Sequence, residues 1–168
     1  MNNARRELAA GGLAFLLLTA IACGPTPLAN TQPTADALAR EVLTALARQD
    51  DARLEALALN EDEFLRHVWP ALPAARPERN LPFSYVWGDL RQKSDIHLRA
   101  TISSHRGRVY QLQSLTFTGG ITEYPGFVVH RNTVLKVRSR EGSDEELRLF
   151  GSAIEKDGVW KIFSFNVN

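Results

Sequence analysis

At Gly107 the spacing of the apolar residues changes, and that change governs what the chain can fold into. Before it, apolar side chains recur every three or four positions, the period of a helix face. After it they recur every second position, the period of a strand with one face covered. A chain with its helices in the first half and its strands in the second cannot alternate them into a parallel sheet. It is expected to form an α+β domain, with the N-terminal helices packed on one face of an antiparallel sheet.

The helical half divides at its caps and prolines. Thr34 can cap a first helix whose apolar stripe is Leu38, Val42, Leu43 and Leu46. Asp50 or Asp51 can cap a second, carrying Leu54, Leu57 and Leu59. Asn60 can start a third, with Glu63 placed to return the cap and Phe64, Leu65 and Val68 on the apolar side. Glu61, Asp62 and Glu63 fall in that first turn, where the helix dipole favours carboxylates, so they read as capping residues and not as metal ligands. Pro70, Pro73 and Pro77 then mark a loop, and Asn80 with Pro82 predicts a fourth and longest helix reaching about Ser104. Gly107 is placed to stop it.

In the second half, residues 109–118 read as a strand whose phase slips between Leu112 and Leu115, the sign of a bulge. Gly119-Gly120 turns the chain, and residues 121–124 and 127–139 supply the next pairing segments around Pro125-Gly126. Residues 147–155 alternate, Asp157-Gly158 is a hairpin turn, and residues 159–167 close the chain.

The first 22 residues do not belong to that domain. Arg5 and Arg6 precede an almost wholly apolar run over residues 8–22, which ends Ala20-Ile21-Ala22-Cys23. A cationic start, a short apolar segment and small residues before a cleavage point describe an export signal. Glu7 directly after the arginines points to the general export route and away from the twin-arginine one. Cys23 is the one cysteine of the chain and stands where the signal would be cut. This arrangement resembles a bacterial lipoprotein signal, matching its lipobox at Ala22 and Cys23 and departing at Ala20, where that family more often carries Leu. The resemblance implies lipid on Cys23 and a protein anchored through it in the bacterial cell envelope. Gly24, in place of an Asp that would hold it at the inner membrane, implies the outer membrane, facing the periplasm.

Residues 23–33, with Pro25, Pro27 and Pro33 and no periodicity, then read as the lipidated cysteine and a flexible tether, and residues 34–168 as the domain. The chain carries 20 basic and 19 acidic residues, and Arg5, Arg6 and Glu7 leave with the signal, so the remainder is formally neutral. A neutral domain without a basic cluster is not expected to bind nucleic acid. A single cysteine also excludes an internal disulfide.

Residues 151–162, Gly-Ser-Ala-Ile-Glu-Lys-Asp-Gly-Val-Trp-Lys-Ile, resemble the last hairpin of many NTF2-like domains of the cystatin-type α+β kind. For residues 34–168 that resemblance implies a curved sheet with helices across its concave side, leaving a cone-shaped cavity. The family includes isomerases, dehydratases, transport adaptors and inert envelope lipoproteins, so the fold does not select a function.

Catalysis in such a cone would need a carboxylate or histidine inside it beside a tyrosine or second acid. Asp89 is the candidate cavity acid, with Glu123 and Glu155 behind it and Tyr85, Tyr110 and Tyr124 as partners. His67, His97, His105 and His130 are scattered without metal-ligand spacing, so no metal and no cofactor is expected. The aromatic residues Trp69, Tyr85 and Trp87, with Arg76 and Arg79 of the proline loop, form the candidate ligand or partner surface. The sequence thus predicts a lipid-anchored envelope protein without catalytic residues, binding a protein partner or a small apolar ligand. The alternatives are an isomerase or dehydratase using a cavity carboxylate, and a purely structural envelope component.

Overall fold

The structure is a computed structural model that describes residues 26–167. The signal and Cys23 lie outside those residues. Helix α1 (Ala35–Arg48) starts where the Thr34 hydroxyl accepts from the Ala37 N–H at 3.1 Å, and ends at Gln49 in the left-handed conformation. Leu38, Val42, Leu43 and Leu46 lie buried along one side. Asp50 caps α2 (Asp51–Ala56) through the Arg53 N–H. Asn60 and Glu63 form a reciprocal capping box on α3 (Glu61–Glu63), which widens into a π-turn over Phe64–Val68. The proline loop is not irregular. Each of Pro70, Pro73 and Pro77 sits in the opening turn of a short 3-10 segment, where a missing N–H costs nothing. Helix α4 (Phe83–His105) follows, and beyond it the Gly107 N–H donates to the Leu46 carbonyl, fastening the far end of α4 to the far end of α1.

The strands are β1 (Tyr110–Phe117), β2 (Ile121–Tyr124), β3 (Phe127–Arg131), β4 (Thr133–Ser139), β5 (Asp144–Leu147), β6 (Ser152–Lys156) and β7 (Val159–Ser164). They pair antiparallel as two sheets, ordered β1-β4-β5 and β2-β3-β6-β7, and the bulge falls between Leu112 and Ser114. Residues 127–139, read from the sequence as continuous, break at Asn132, which has φ 54°. The break is a crease. Thr118 donates to the Asn132 carbonyl and Thr133 to that of Gly151, so hydrogen bonding continues from one sheet into the other. The third segment creases likewise at Gly151, where a Cβ would overlap the Asn166 carbonyl oxygen, so that only glycine fits. Pairing begins at Asp144, earlier than the alternation suggests, stops at Leu147 and resumes from Ser152 in the other sheet.

Two cores result. The larger joins α1, α2 and Leu98 of α4 to Leu112, Leu135, Val137, Leu149, Phe150, Ala153 and Ile162. The second joins Leu28, Phe64 and Val68 to Phe127, Val129 and Ile154. Ala153 and Ile154 are neighbours on β6 and so face opposite ways. The four-stranded sheet is therefore covered on both faces, where the sequence led us to expect helices on one.

The segment read as a tether also differs. From Leu28 onward it is packed. Leu28 is buried, the Ala29 N–H donates to Glu63 Oε1 at 2.8 Å, and Gln32 exchanges both backbone hydrogen bonds with Trp160 of β7. The stretch bends at Asn30, which has φ 52°, and beyond the bend Gln32 docks on the free edge of β7.

Candidate functional site

The residues expected to form a recognition surface separate into buried and exposed sets. Phe64 is fully buried, with ring centroids 5.2 Å from Trp87, 6.1 Å from Phe83 and 6.1 Å from Phe163. Trp69 meets Phe83 edge-on at 5.6 Å. Trp69 and Trp87 thus serve the second core, half-buried by their own neighbours. Tyr85 points the other way and is 67% exposed, and Arg76 and Arg79 are exposed with it.

Asp89 is half-exposed on α4 and paired with Lys93 one turn on, at 2.8 Å. It is on the surface, as is Glu123. The space between α1 and the sheets is occupied by the buried leucine, valine and phenylalanine side chains of the larger core. No carboxylate is buried there among the described residues, whose buried charged groups are Glu63 and Lys161. No group of three or more metal-ligating side chains occurs among the described residues either.

Three polar arrangements were not anticipated. The first is the buried pair Lys161–Glu63. Lys161 Nζ donates to Ala29 O at 2.6 Å, Ala56 O at 3.1 Å and Glu63 at 3.1 Å, while Glu63 accepts from the Ala29 and Asn60 N–H groups. Burial pushes the Lys161 pKa down, and the facing Glu63 carboxylate opposes that shift. Each polar atom has a partner, so this is a structural clasp joining β7, α2, α3 and the docked N-terminal segment. Its sequence signal was a lysine between Trp160 and Ile162 in the final strand.

The second is His130 on β3, tilted against the stacked pair Phe117 and Trp160 with centroids 4.9 and 4.5 Å away, its Nε2 3.0 Å from Glu155 Oε2. Glu155, a candidate acid behind Asp89, is thereby half-buried at the sheet and paired with His130.

The third lies at the far end of α4. A cleft of about 500 Å³ is lined by Gly107, Arg108, Tyr110, Ser139, Arg140, Glu141 and Glu145. At its edge His105 Nδ1 is 3.0 Å from the Tyr110 hydroxyl. Partial burial, and then the Arg108 charge, hold the His105 pKa below its ordinary value, against a smaller upward pull from Glu145. A neutral imidazole beside a phenol is able to exchange a proton with a molecule entering the cleft. The opposite charges at the rim suit a polar or zwitterionic molecule better than the small apolar one expected. Ser103-Ser104-His105 carried no recognisable motif, and Tyr110 lies on a strand, so only the fold brings the pair together.

These elements define an α+β domain of helices and two creased antiparallel sheets. Compared with family models, curated proteins and solved structures, the chain matches none.

Proposed function

We propose that this is an envelope protein anchored by lipid on Cys23, with a domain that binds a protein partner and does not turn over a substrate. The observation that carries binding is α4. It spans 23 residues, about 35 Å at helical rise, yet buries only Ser94, Leu98 and Thr101. Its outward stripe, Tyr85, Gly88, Gln92, Ile96 and Ser103 at helical spacing, exposes an aromatic and a branched apolar side chain beside an open glycine. Tyr85 and Ile96 are 67% and 59% exposed, which suits a partner helix or sheet laid along α4. The anchor rests on the sole cysteine behind an apolar export run, and no described helix is long and apolar enough to cross a membrane. An outer-membrane attachment facing the periplasm follows from Gly24.

An NTF2-like cone is the finer fold we propose. It is supported by strands that crease together around α1 and by the closing Asp157-Gly158 hairpin. In this reading the cone is filled by side chains, which favours surface recognition over chemistry inside it. A second reading, catalysis of the isomerase or dehydratase kind, is favoured by His105 and Tyr110 at the cleft; Asp89, out on α4, does not serve it.

Capture from detergent-solubilised envelopes tests the proposal. The lipidated chain should retain a stoichiometric protein that the Tyr85→Ala, Ile96→Asp double variant loses. Equal capture by both would overturn the α4 surface. Loss of lipid labelling only when Cys23 is replaced would support the anchor.

A further inference from the structure

We infer that the domain is not on a free leash but is held close against the bilayer, α3 end nearest, its His105–Tyr110 cleft facing away. This rests on the reading of Cys23 as the lipidated residue. Leu28 is the first buried residue among those described, and it is followed by a continuous set of attachments. Ala29 is bonded through its N–H to Glu63 and through its carbonyl to Lys161. The Asn30 side-chain oxygen accepts from Arg53 at 3.1 Å, and Gln32 is paired both ways with Trp160. The covalent path left between lipid and fold is thus the five steps from Cys23 to Leu28. Fully extended it reaches about 18 Å, less than the length of α1, and Pro25 and Pro27 within it stiffen it further.

A leash shorter than the domain fixes which end meets the lipid headgroups. Thr26, Pro27 and Ala29 lie against Asn60, Asp62, Arg66 and His67, so that end is the near one. Thr34 caps α1 beside it, and α1 then runs 14 residues, about 21 Å, to Leu46 and Gln49. There Gly107 joins the cleft lined by Ser139, Arg140 and Glu141. Arg140 and Asp62 therefore mark opposite ends, and whatever enters the cleft comes from the aqueous side.

Because the sole native thiol is acylated, one added cysteine can be labelled alone. Asp62→Cys and Arg140→Cys, both at exposed positions, would carry a fluorophore in the full lipidated chain. The chain is reconstituted in phosphatidylethanolamine–phosphatidylglycerol vesicles holding a headgroup-attached nitroxide quencher. Quenching at position 62 should exceed that at position 140 severalfold, and a flexible Gly/Ser spacer of about twenty residues between Pro25 and Thr26 should bring the two together. Equal quenching without the spacer, in protein that carries lipid, would overturn the inference. A chain that takes up no fatty acid would overturn the anchor itself.

Discussion

Replacing Lys161 with Met tests whether the clasp holds the fold together. Met keeps most of the aliphatic stem, so the change isolates the ammonium group. Lys161 is 1% exposed and Glu63 7%, and the substitution leaves that carboxylate buried without its counter-ion. Removing one partner of a buried pair costs 3–5 kcal/mol as a rule, about 3 kcal/mol where other donors remain. Here two remain, the Ala29 and Asn60 N–H groups. Water can reach Ala29, which is exposed, so the loss at its carbonyl is small. A cost of about 3 kcal/mol corresponds to a melting temperature lower by roughly 10 °C for a domain of this size.

The partner substitution separates charge from packing. Glu63→Gln keeps an acceptor for one backbone donor and should cost less, about 1–2 kcal/mol, because Lys161 can shed its proton. In the double variant no charge is buried, so its loss should fall short of the two single losses combined by at least about 1 kcal/mol. Thermal unfolding followed by circular dichroism reads all four proteins. A Lys161→Met melting point within about 2 °C of the parent, or strictly additive losses, would refute the clasp.

Other outcomes follow from the same contacts. Deleting residues 24–32 should lower the melting temperature by roughly 10 °C, since it strips Leu28 from the second core and two partners from the clasp; unchanged unfolding would show that this segment is a tether after all. Trp160→Ala should cost about 3 kcal/mol, the low end for a half-buried ring that stacks on Phe117 and meets His130 at a tilt, as read by chemical denaturation. His105 has a folded pKa below its ordinary 6.5, so the unfolded chain binds that proton more readily. The stability tied to it is present above pH 6.5 and is lost as pH falls through 6.5 towards the folded pKa. His105→Gln should therefore flatten the stability–pH curve on the acid side, and an identical slope in the variant would contradict the burial assigned to His105.

Local signals wrote the helices, and they are where the sequence was most legible. Thr34, Asp50 and Asn60 act on neighbours within a few residues, so their effect is decided before any tertiary contact forms. The bulge between Leu112 and Ser114 was readable for the same reason, as a slip in a period of two. The crease at Asn132 was not. It is set by what Gly119 and Gly151 do on the adjoining strands, and its one local sign, the polar run His130-Arg131-Asn132-Thr133, was read as part of a continuous segment. Composition misled most over residues 23–33, of which 28–32 are packed. Three prolines and a lack of period describe a stretch with no structure of its own, but they cannot report a strand edge and a buried lysine, distant in sequence, that give it one.

The same distinction separates the two kinds of candidate site. Trp69 and Trp87 stood out because aromatic residues near prolines are conspicuous, and most of that prominence is used to build the second core. The pairings of His105 with Tyr110 and of Lys161 with Glu63 were not foreseen, although His105, Tyr110 and Glu63 were each weighed in other roles, because nothing in either segment points to its partner. Pairing depends on where α4 stops and where β7 begins, which a linear reading does not contain. The two pairs lie towards opposite ends of α1, the clasp on the side of the docked N-terminal segment and the cleft at the other. An anchor entering beside the clasp would then leave the cleft and the outward stripe of α4 as the surfaces available to a partner. Mobility at the membrane and access to α4 are therefore one question: loosening the segment around Leu28 should change what the domain can reach without altering the α4 surface itself.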